Sequence, residues 1–427
     1  MADKVLHNGT TPNVSAETTT SDSKSNINTA QLDASTLKVE YATSVRRPVP
    51  DPDSPEFKSQ KVCTDHMITA SWTQTDGWAA PELKPYGPFQ LMPTASVLHY
   101  ATECFEGLKL YRGHDGRLRL FRPTLNCRRM LRSATRIALP SFPPDELLKL
   151  IVRLCAVDGP KWLPRSRPGS FLYVRPAMIA DDPAIGVAKP QQALLFILII
   201  CFPSLDFDAR PQPGMKLYAS RDDMVRAWPG GFGFAKLGAN YGPTLAAQAE
   251  ARQRGYDQVL WLLGKDGAIT EAGASNFFLV LKSKHGQTNE LVTAPLEDNI
   301  ILDGVTRRSV IELAADRLAA DRSGSKSGSE AGPASLDPLV VAERKIYMSE
   351  VVEAAREGRL IEAFAAGTAF FIAPVSMIGF RDSEIEVPMQ GEGRRSGLYA
   401  NAFRTWLMDI MYGREANEWS HVVIEEE

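Results

Sequence analysis

Lys236 stands in the stretch Trp228-Pro-Gly-Gly-Phe-Gly-Phe-Ala-Lys236-Leu-Gly-Ala-Asn-Tyr241-Gly-Pro243, and it is the only charged residue between Arg226 and Glu250. A glycine-rich, aromatic, otherwise uncharged surrounding partly desolvates an amine. Desolvation disfavours the ammonium form and makes the amine a nucleophile for carbonyl chemistry. A lysine snorkelling from a surface loop would show the same residues, so this segment alone leaves both readings open. A phosphate loop fails on spacing: that motif is GxxxxGK followed by Ser or Thr, whereas Lys236 follows Ala235 and precedes Leu237. Gly231 and Gly233 lack the third glycine of a dinucleotide-binding turn.

Two further groups could do chemistry. Pro123 and Thr124 open a helix to about Ile137 that carries Arg128, Arg129, Arg132 and Arg136. Residues 129, 132 and 136 share a face. Guanidinium forks suit phosphate, although a solvated helix face explains most of these arginines and leaves one of them to reach a phosphate. The third group is Thr270-Glu271-Ala272-Gly273-Ala274-Ser275-Asn276-Phe277-Phe278, then Leu291-Val-Thr293, then Leu302-Asp-Gly304-Val305-Thr306-Arg307. A glycine before a helix start leaves free N–H groups for an anion, or simply an ordinary capped helix.

The elements that must position these groups follow from pattern. Strands are expected at Leu118–Phe121, Phe171–Ile179 and Leu194–Phe202, a hairpin at 259–270, and helices near 243–254 and 305–320. The chain has 427 residues with 44% hydrophobic and 23% charged, enough for two domains. The expected division is a disordered extension over 1–58, a smaller domain at 59–204, a Pro/Gly/Asp-rich linker at 205–214, and a larger domain at 215–427. A flexible insertion is expected at 321–338. A net charge of −3 gives no basic field for nucleic acid or anionic lipid. The longest apolar run, Ala193–Phe202, has ten residues and is too short to span a membrane, which takes about 20. Five cysteines without a CxxC read as core thiols in a reducing compartment, and no Cys/His spacing suits a metal. The first arginine is Arg46, with several acids before it. This points to a cytoplasmic protein more than an imported one, with a mitochondrial location left open.

Taken together, Glu271-x-Gly273-x-x-Asn276-Phe277-Phe278, Leu291-x-Thr293 and Leu302-x-Gly304-Val305-x-Arg307 resemble the signature of class IV aminotransferases, the fold-type-IV pyridoxal-phosphate enzymes. The resemblance narrows with Cys104-Phe105-Glu106-Gly107-Leu108-Lys109, FRPTLN (121–126), LYVRP (172–176), AKLGANYGP (235–243) and AGTA (366–369). These are similar to segments of eukaryotic branched-chain amino-acid aminotransferases, and the similarity runs in order over roughly residues 60 to 420. It implies an α+β fold of two α/β domains and transamination between Leu, Ile, Val or similar aliphatic amino acids and 2-oxoglutarate. It also implies pyridoxal 5'-phosphate as cofactor and a homodimer whose partner chain contributes to the site.

By the same resemblance, Lys236 carries the cofactor as a Schiff base and moves the substrate proton. Glu271 meets the pyridine nitrogen and Tyr241 the ring's phenolic oxygen. Arg129, Val305, Thr306 and Thr368 form the phosphate cup. Tyr100, Phe105, Tyr173, Arg175 and Ala369 form the substrate side. Two departures stand out. Ala274 occupies a position where the family commonly has Thr, and Ser275 should point elsewhere in a regular strand. The 368–374 segment also lacks the CxxC of some animal relatives. D-amino-acid aminotransferases and aminodeoxychorismate-lyase-like enzymes share the wider signature, but LYVRP and the Phe105-Glu106-Gly107 segment favour the branched-chain type. A paralogue making an unusual aliphatic amino acid, or an inactive regulatory one, is the alternative. Retention of Lys236, Glu271, Tyr241, Arg129 and Thr368 speaks against inactivity.

Overall fold

A computed structural model describes residues 29–43, 47–203, 213–284, 288–319, 336–390 and 392–426. Among the described residues, ten strands form a first sheet. Its main path runs Lys38–Val39, Glu82–Pro85, His66–Thr73, Gln192–Ile200, Phe171–Ala180, Leu108–Arg112, Leu118–Phe121 and Ser420–Val423. The two central strands are long and apolar, and in Gln192–Ile200 burial alternates strictly along the strand. That is the period-two signature of a sheet with one fully covered face. The helices Pro123–Arg136 and Pro144–Trp162 supply that cover, burying Met130, Leu147, Leu150 and Leu154 against Leu110, Leu172 and Ile197.

The second sheet has nine strands. Ala268–Ala272, Gln258–Leu263, Met215–Ala219, Phe371–Phe380, Leu360–Gly367 and Ser275–Lys282 follow one another, and Ser275–Lys282 pairs back with Ala268–Ala272. The ring so closed has an apolar interior of Leu217, Leu260, Phe277, Leu279 and Val375. On its outside the helices Val305–Arg317 and Leu398–Met411 pack together with Phe278 and Phe364. The same cluster takes in Tyr111, Phe121 and Phe171 from the first sheet. A shared apolar cluster therefore joins the two sheets, and burial of this kind contributes about 25 cal/mol per Å².

The expected strands and helices are found within a few residues of their predicted ends: Leu118–Phe121, Phe171–Ala180, Gln192–Ile200, Thr244–Gln253 and Val305–Arg317. Two organisational expectations need correction. The extension expected to be disordered over 1–58 lies outside the described residues at 1–28 and 44–46. The remainder packs on the first sheet: Leu32 and Phe57 are buried, Lys38–Val39 pairs with Glu82–Pro85, and the Ala42 N–H donates to His66 Nε2 at 2.9 Å. A few well-spaced apolar residues anchor a stretch whose average composition is polar. The second correction is at the other end. Ser420–Val423, assigned to the larger domain, is antiparallel to Leu118–Phe121 in the first sheet. Most of the expected linker and insertion (204–212 and 320–335) falls outside the described residues. Among the described residues, no helix is long and apolar enough to cross a membrane, and no group of three His, Cys, Asp or Glu side chains could hold a metal. All five cysteines are buried.

Candidate active site

Lys236 follows the linker region in sequence, yet its backbone is stitched to the first sheet's side. Its N–H donates to Ser133 Oγ at 2.8 Å, and its carbonyl accepts from the Phe105 N–H at 3.1 Å. Cys104 and Leu237 form a β-bridge, and Ala235 and Leu237 are buried in the first core. The main chain is thus fixed on both sides of the lysine while the side chain enters a cavity of about 540 Å³ between the two sheets. Lys236 Nζ donates to the Tyr241 hydroxyl at 3.2 Å and lies 4.9 Å from the centre of the Phe105 ring. The half-buried, aromatic setting read from the sequence is the one observed.

Glu271 lies on Ala268–Ala272 and is almost wholly buried. Its Oε1 accepts from the Leu302 N–H at 3.0 Å and Asn276 Nδ2 at 3.3 Å. Its Oε2 lies 2.8 Å from Arg226 Nη1, but both atoms lack a well-formed hydrogen bond. Burial pushes the Glu271 carboxyl above its ordinary pKa, while Arg226 and the Leu302 N–H pull it down. The site therefore holds a carboxyl oxygen with unused hydrogen-bonding capacity, on a residue that lines the cavity Lys236 enters.

Opposite chemistry gathers at the head of the helix Val305–Arg317. Gly304 is its N-cap and provides no side-chain cap, so the first N–H groups stay available beside the cavity. A side chain at Gly304 would put Cβ 2.0 Å from Asn276 Oδ1, so only glycine lets these segments meet. Arg129 reaches the same place. Its Nε and Nη2 donate to Glu106 Oε1 and Oε2 at 2.7 and 2.8 Å, and its Nη1 donates to the Asp303 carbonyl at 2.9 Å. Asn126 adds a donor to Glu106 at 2.8 Å. Desolvation alone would raise the Glu106 pKa; the Arg129 fork outweighs it and holds the carboxyl below its usual range. Thr306 and Thr368 also line the cavity. Of the four helix arginines only Arg129 lines it: Arg128 is exposed, Arg132 donates to Asn299 Oδ1, and Arg136 reaches the Gly230 and Gly231 carbonyls.

On the remaining wall the structure brings together Phe105, Tyr173, Arg175 and Ala369. Arg175 Nη2 donates to the Tyr173 hydroxyl at 3.1 Å, its guanidinium lies 4.5 Å from the Phe105 ring centre, and its buried Nε has no partner. The Tyr173 hydroxyl occupies space that a Cβ on Gly107 would need, at 1.8 Å. Tyr100 is not brought in. It is exposed, and its hydroxyl donates to the Ile185 carbonyl. Ala274 and Ser275 both line the cavity. The expectation that Ser275 points elsewhere is corrected, because Ala274 lies in the Gly273–Ala274 turn and not in a regular strand.

Sequence reasoning missed Arg226, which marked only the edge of an uncharged stretch, and the role of Glu106. The available signal was a buried-arginine problem: a guanidinium inside a core needs a carboxylate. The Glu106 carboxylate lies in the Phe105-Glu106-Gly107 segment already singled out.

A glycine-capped helix start with Arg129 beside it, a half-buried lysine and a buried glutamate thus line one cavity. Residues 103–321 match the amino-transferase class IV family, and the chain belongs to it. Within that family it is similar to a cytosolic branched-chain-amino-acid aminotransferase of Saccharomyces cerevisiae, 42% identical over 92% of this chain and 98% of that protein. A mitochondrial one of Schizosaccharomyces pombe is 41% identical over 91% and 85%. Among solved structures, the branched-chain aminotransferase of Thermoproteus uzoniensis with norvaline superposes with a TM-score of 0.59 at 25% identity, covering 83% of this chain and 99% of that one. The two-domain fold-type-IV architecture expected from the sequence is borne out.

Proposed function

We propose that this chain is a pyridoxal-phosphate-dependent aminotransferase acting between branched-chain or similar aliphatic amino acids and 2-oxoglutarate. The observation that carries the reading is the placement of Lys236 Nζ, 3.2 Å from the Tyr241 hydroxyl, in the same cavity as the underused Glu271 Oε2. The residues fit the cofactor: Gly304, Val305, Thr306, Thr368 and Arg129 would hold its phosphate, Tyr241 its phenolic oxygen and Glu271 its ring nitrogen. When bound, the cofactor supplies a carbonyl for amine exchange and an electron sink for the substrate carbanion.

The chain's own residues do the rest. Tyr241 orients the Lys236 amine, which serves as nucleophile and then carries the proton from the substrate Cα. Arg226 opposes protonation of Glu271, so the carboxylate can keep a ring nitrogen charged. Phe105 and Tyr241, with ring centres 5.4 Å apart, offer an aromatic wall to an aliphatic side chain. Arg175, with a free Nε and the Tyr173 hydroxyl beside it, can receive the distal carboxylate of glutamate. One pocket thus accepts two unlike substrates.

We infer a homodimer in which Tyr100, outside the cavity of its own chain, meets the partner's; sedimentation checks the assembly. The two sheets serve as the two domains. The curated relatives include cytosolic and mitochondrial forms, so fractionation decides the compartment.

The central test is spectroscopic and kinetic. The purified protein should absorb in the visible, lose that absorbance on borohydride treatment, and use Leu, Ile and Val with 2-oxoglutarate. Lys236→Ala should keep the fold and lose all turnover, and multiple turnovers by that variant would overturn the assignment.

A further inference from the structure

Lys109 is fully buried and forms no ion pair among the described residues. It lies on Leu108–Arg112, three residues after the Arg129-bound Glu106. Its Nζ donates one hydrogen bond, to the Ala369 carbonyl at 3.0 Å, and is clasped by the Phe171 and Phe371 rings at 3.9 and 4.1 Å from their centres. Aromatic faces attract a cation, but less strongly than desolvation opposes a buried ion. The charged form of this amine is therefore disfavoured unless an anion comes near it.

The void beside Lys109 shows where that charge belongs. It measures about 20 Å³ and is lined by Lys109, Gly107, Asn126, Thr306, Thr368 and Phe371 among others. That is room for one water molecule. Thr306 and Thr368 also line the main cavity at the proposed phosphate cup. Lys109 therefore borders a small void that shares Gly107, Val305, Thr306 and Thr368 with the main cavity at the proposed cup.

We propose that Lys109 is the counter-charge of the anion bound at the head of the Val305–Arg317 helix, and that binding a phosphate dianion there draws one proton from solvent onto Lys109 Nζ. This rests on the proposed phosphate site. Burial lowers the Lys109 pKa to about 7, so above pH 7.5 the empty protein holds mostly neutral amine. A dianion next door favours the ammonium, and the proton comes from the buffer. The other groups facing Lys109 do not compete. From its own strand Tyr111 is a phenol whose pKa burial raises further. Tyr173 is its partner across the adjacent strand. From the helix side come Asn126 and the Arg129–Glu106 pair, already saturated. Phe371 and Met411 close the remainder without charge.

The sign is definite. Below about pH 7 Lys109 is already charged and binding takes up no proton there. Above it, affinity should fall as pH rises, approaching about tenfold per pH unit, until the bound-state pKa is passed. The test is calorimetric titration of the full-length apoprotein with pyridoxal phosphate at pH 8 in two buffers of different ionisation enthalpy. Wild type should take up close to one proton more than Lys109→Arg, whose guanidinium is charged throughout. Lys109→Met should bind at least tenfold more weakly at pH 7. Inorganic phosphate on the wild type, which forms no bond to Lys236, should show the same uptake without any variant. Equal proton counts in wild type and Lys109→Arg, or no uptake with inorganic phosphate, overturns the proposal. If the visible absorbance of bound cofactor forms normally in those same samples, the functional reading survives that failure. If it never forms, the reading fails first.

Discussion

Two buried arginine–glutamate pairs flank the cavity, and they are built differently. Glu106 and Arg129 form a saturated pair: the fork is bidentate, Asn126 donates to the same carboxylate, and Arg129 Nη1 donates to the Asp303 carbonyl, which leaves one N–H on each terminal nitrogen for an anion. Glu271 and Arg226 are as close, at 2.8 Å, yet Arg226 Nη1 and Glu271 Oε2 lack a proper hydrogen bond. Folding leaves few buried polar atoms unsatisfied, and those that remain tend to mark places where a ligand completes the structure. The saturated pair fixes the arginine beside the head of the Val305–Arg317 helix. The unsaturated pair is a socket. Similar residues, equally buried, separate into architecture and chemistry by how many of their hydrogen bonds are already used.

The strongest way to break this comparison is to remove the brace. Glu106→Gln leaves Arg129 charged, buried and short of its anion, a class of change that costs roughly 3–5 kcal/mol. The expected result is a clear fall in melting temperature together with weaker pyridoxal-phosphate binding. The sign with pH follows from the depressed Glu106 pKa. Its contribution is present above the unfolded carboxylate value and is lost as pH falls through the lower folded value, so the variant's deficit should shrink in acid. A stability deficit that does not shrink in acid would mean that the pair is not the brace.

The socket should respond in the opposite manner. Glu271→Gln also takes the anion from a buried arginine, Arg226, but it keeps the Leu302 N–H bonded and breaks no formed hydrogen bond to that arginine, so its stability loss should be smaller than that of Glu106→Gln. Turnover, however, should fall by a factor of about 100 or more, equivalent to about 2.7 kcal/mol of transition-state stabilisation. Urea titrations and single-turnover rates on both variants separate the two roles. If both lose stability equally and rate equally, brace and socket are one thing.

The contrast also explains what the sequence could and could not show. Lys236 was singled out by a local pattern, a lone charge among glycines and aromatics, and the helix arginines by a repeat, but it was the family resemblance that picked out Tyr241 and Arg129 and chose between the readings of Lys236. The strand Leu118–Phe121 and the 258–272 hairpin were legible from alternation and turn residues. The pairings were not. Nothing near Arg226 announces Glu271, and nothing near Ser420–Val423 announces Leu118–Phe121, because those contacts are set by how two sheets close on each other. Leu32 was hidden for a related reason: one apolar residue in a polar run changes composition little but is buried completely.

The smallest effect expected concerns the turn that joins the socket's strand to its neighbour. Gly273 and Ala274 lie between Ala268–Ala272 and Ser275–Lys282, and Gly273 has φ of 57°, with a Cβ there meeting Gln258 Oε1 at 2.4 Å. The turn is therefore fixed in shape, and the Ala274 side chain takes its direction from it. Ala274 lines the cavity, and a threonine there would add a hydroxyl and a methyl group to the wall. That volume is about the size of one methylene of substrate, worth about 0.8 kcal/mol when buried, or a factor of about four in kcat/KM. Ala274→Thr should therefore reduce kcat/KM for a longer straight-chain donor such as norleucine relative to leucine by about that factor, while the visible absorbance of bound cofactor stays unchanged. An altered spectrum would show that position 274 touches the cofactor instead. An unchanged norleucine-to-leucine ratio would place the side-chain pocket elsewhere, on the Phe105 and Tyr173 wall that the first sheet supplies.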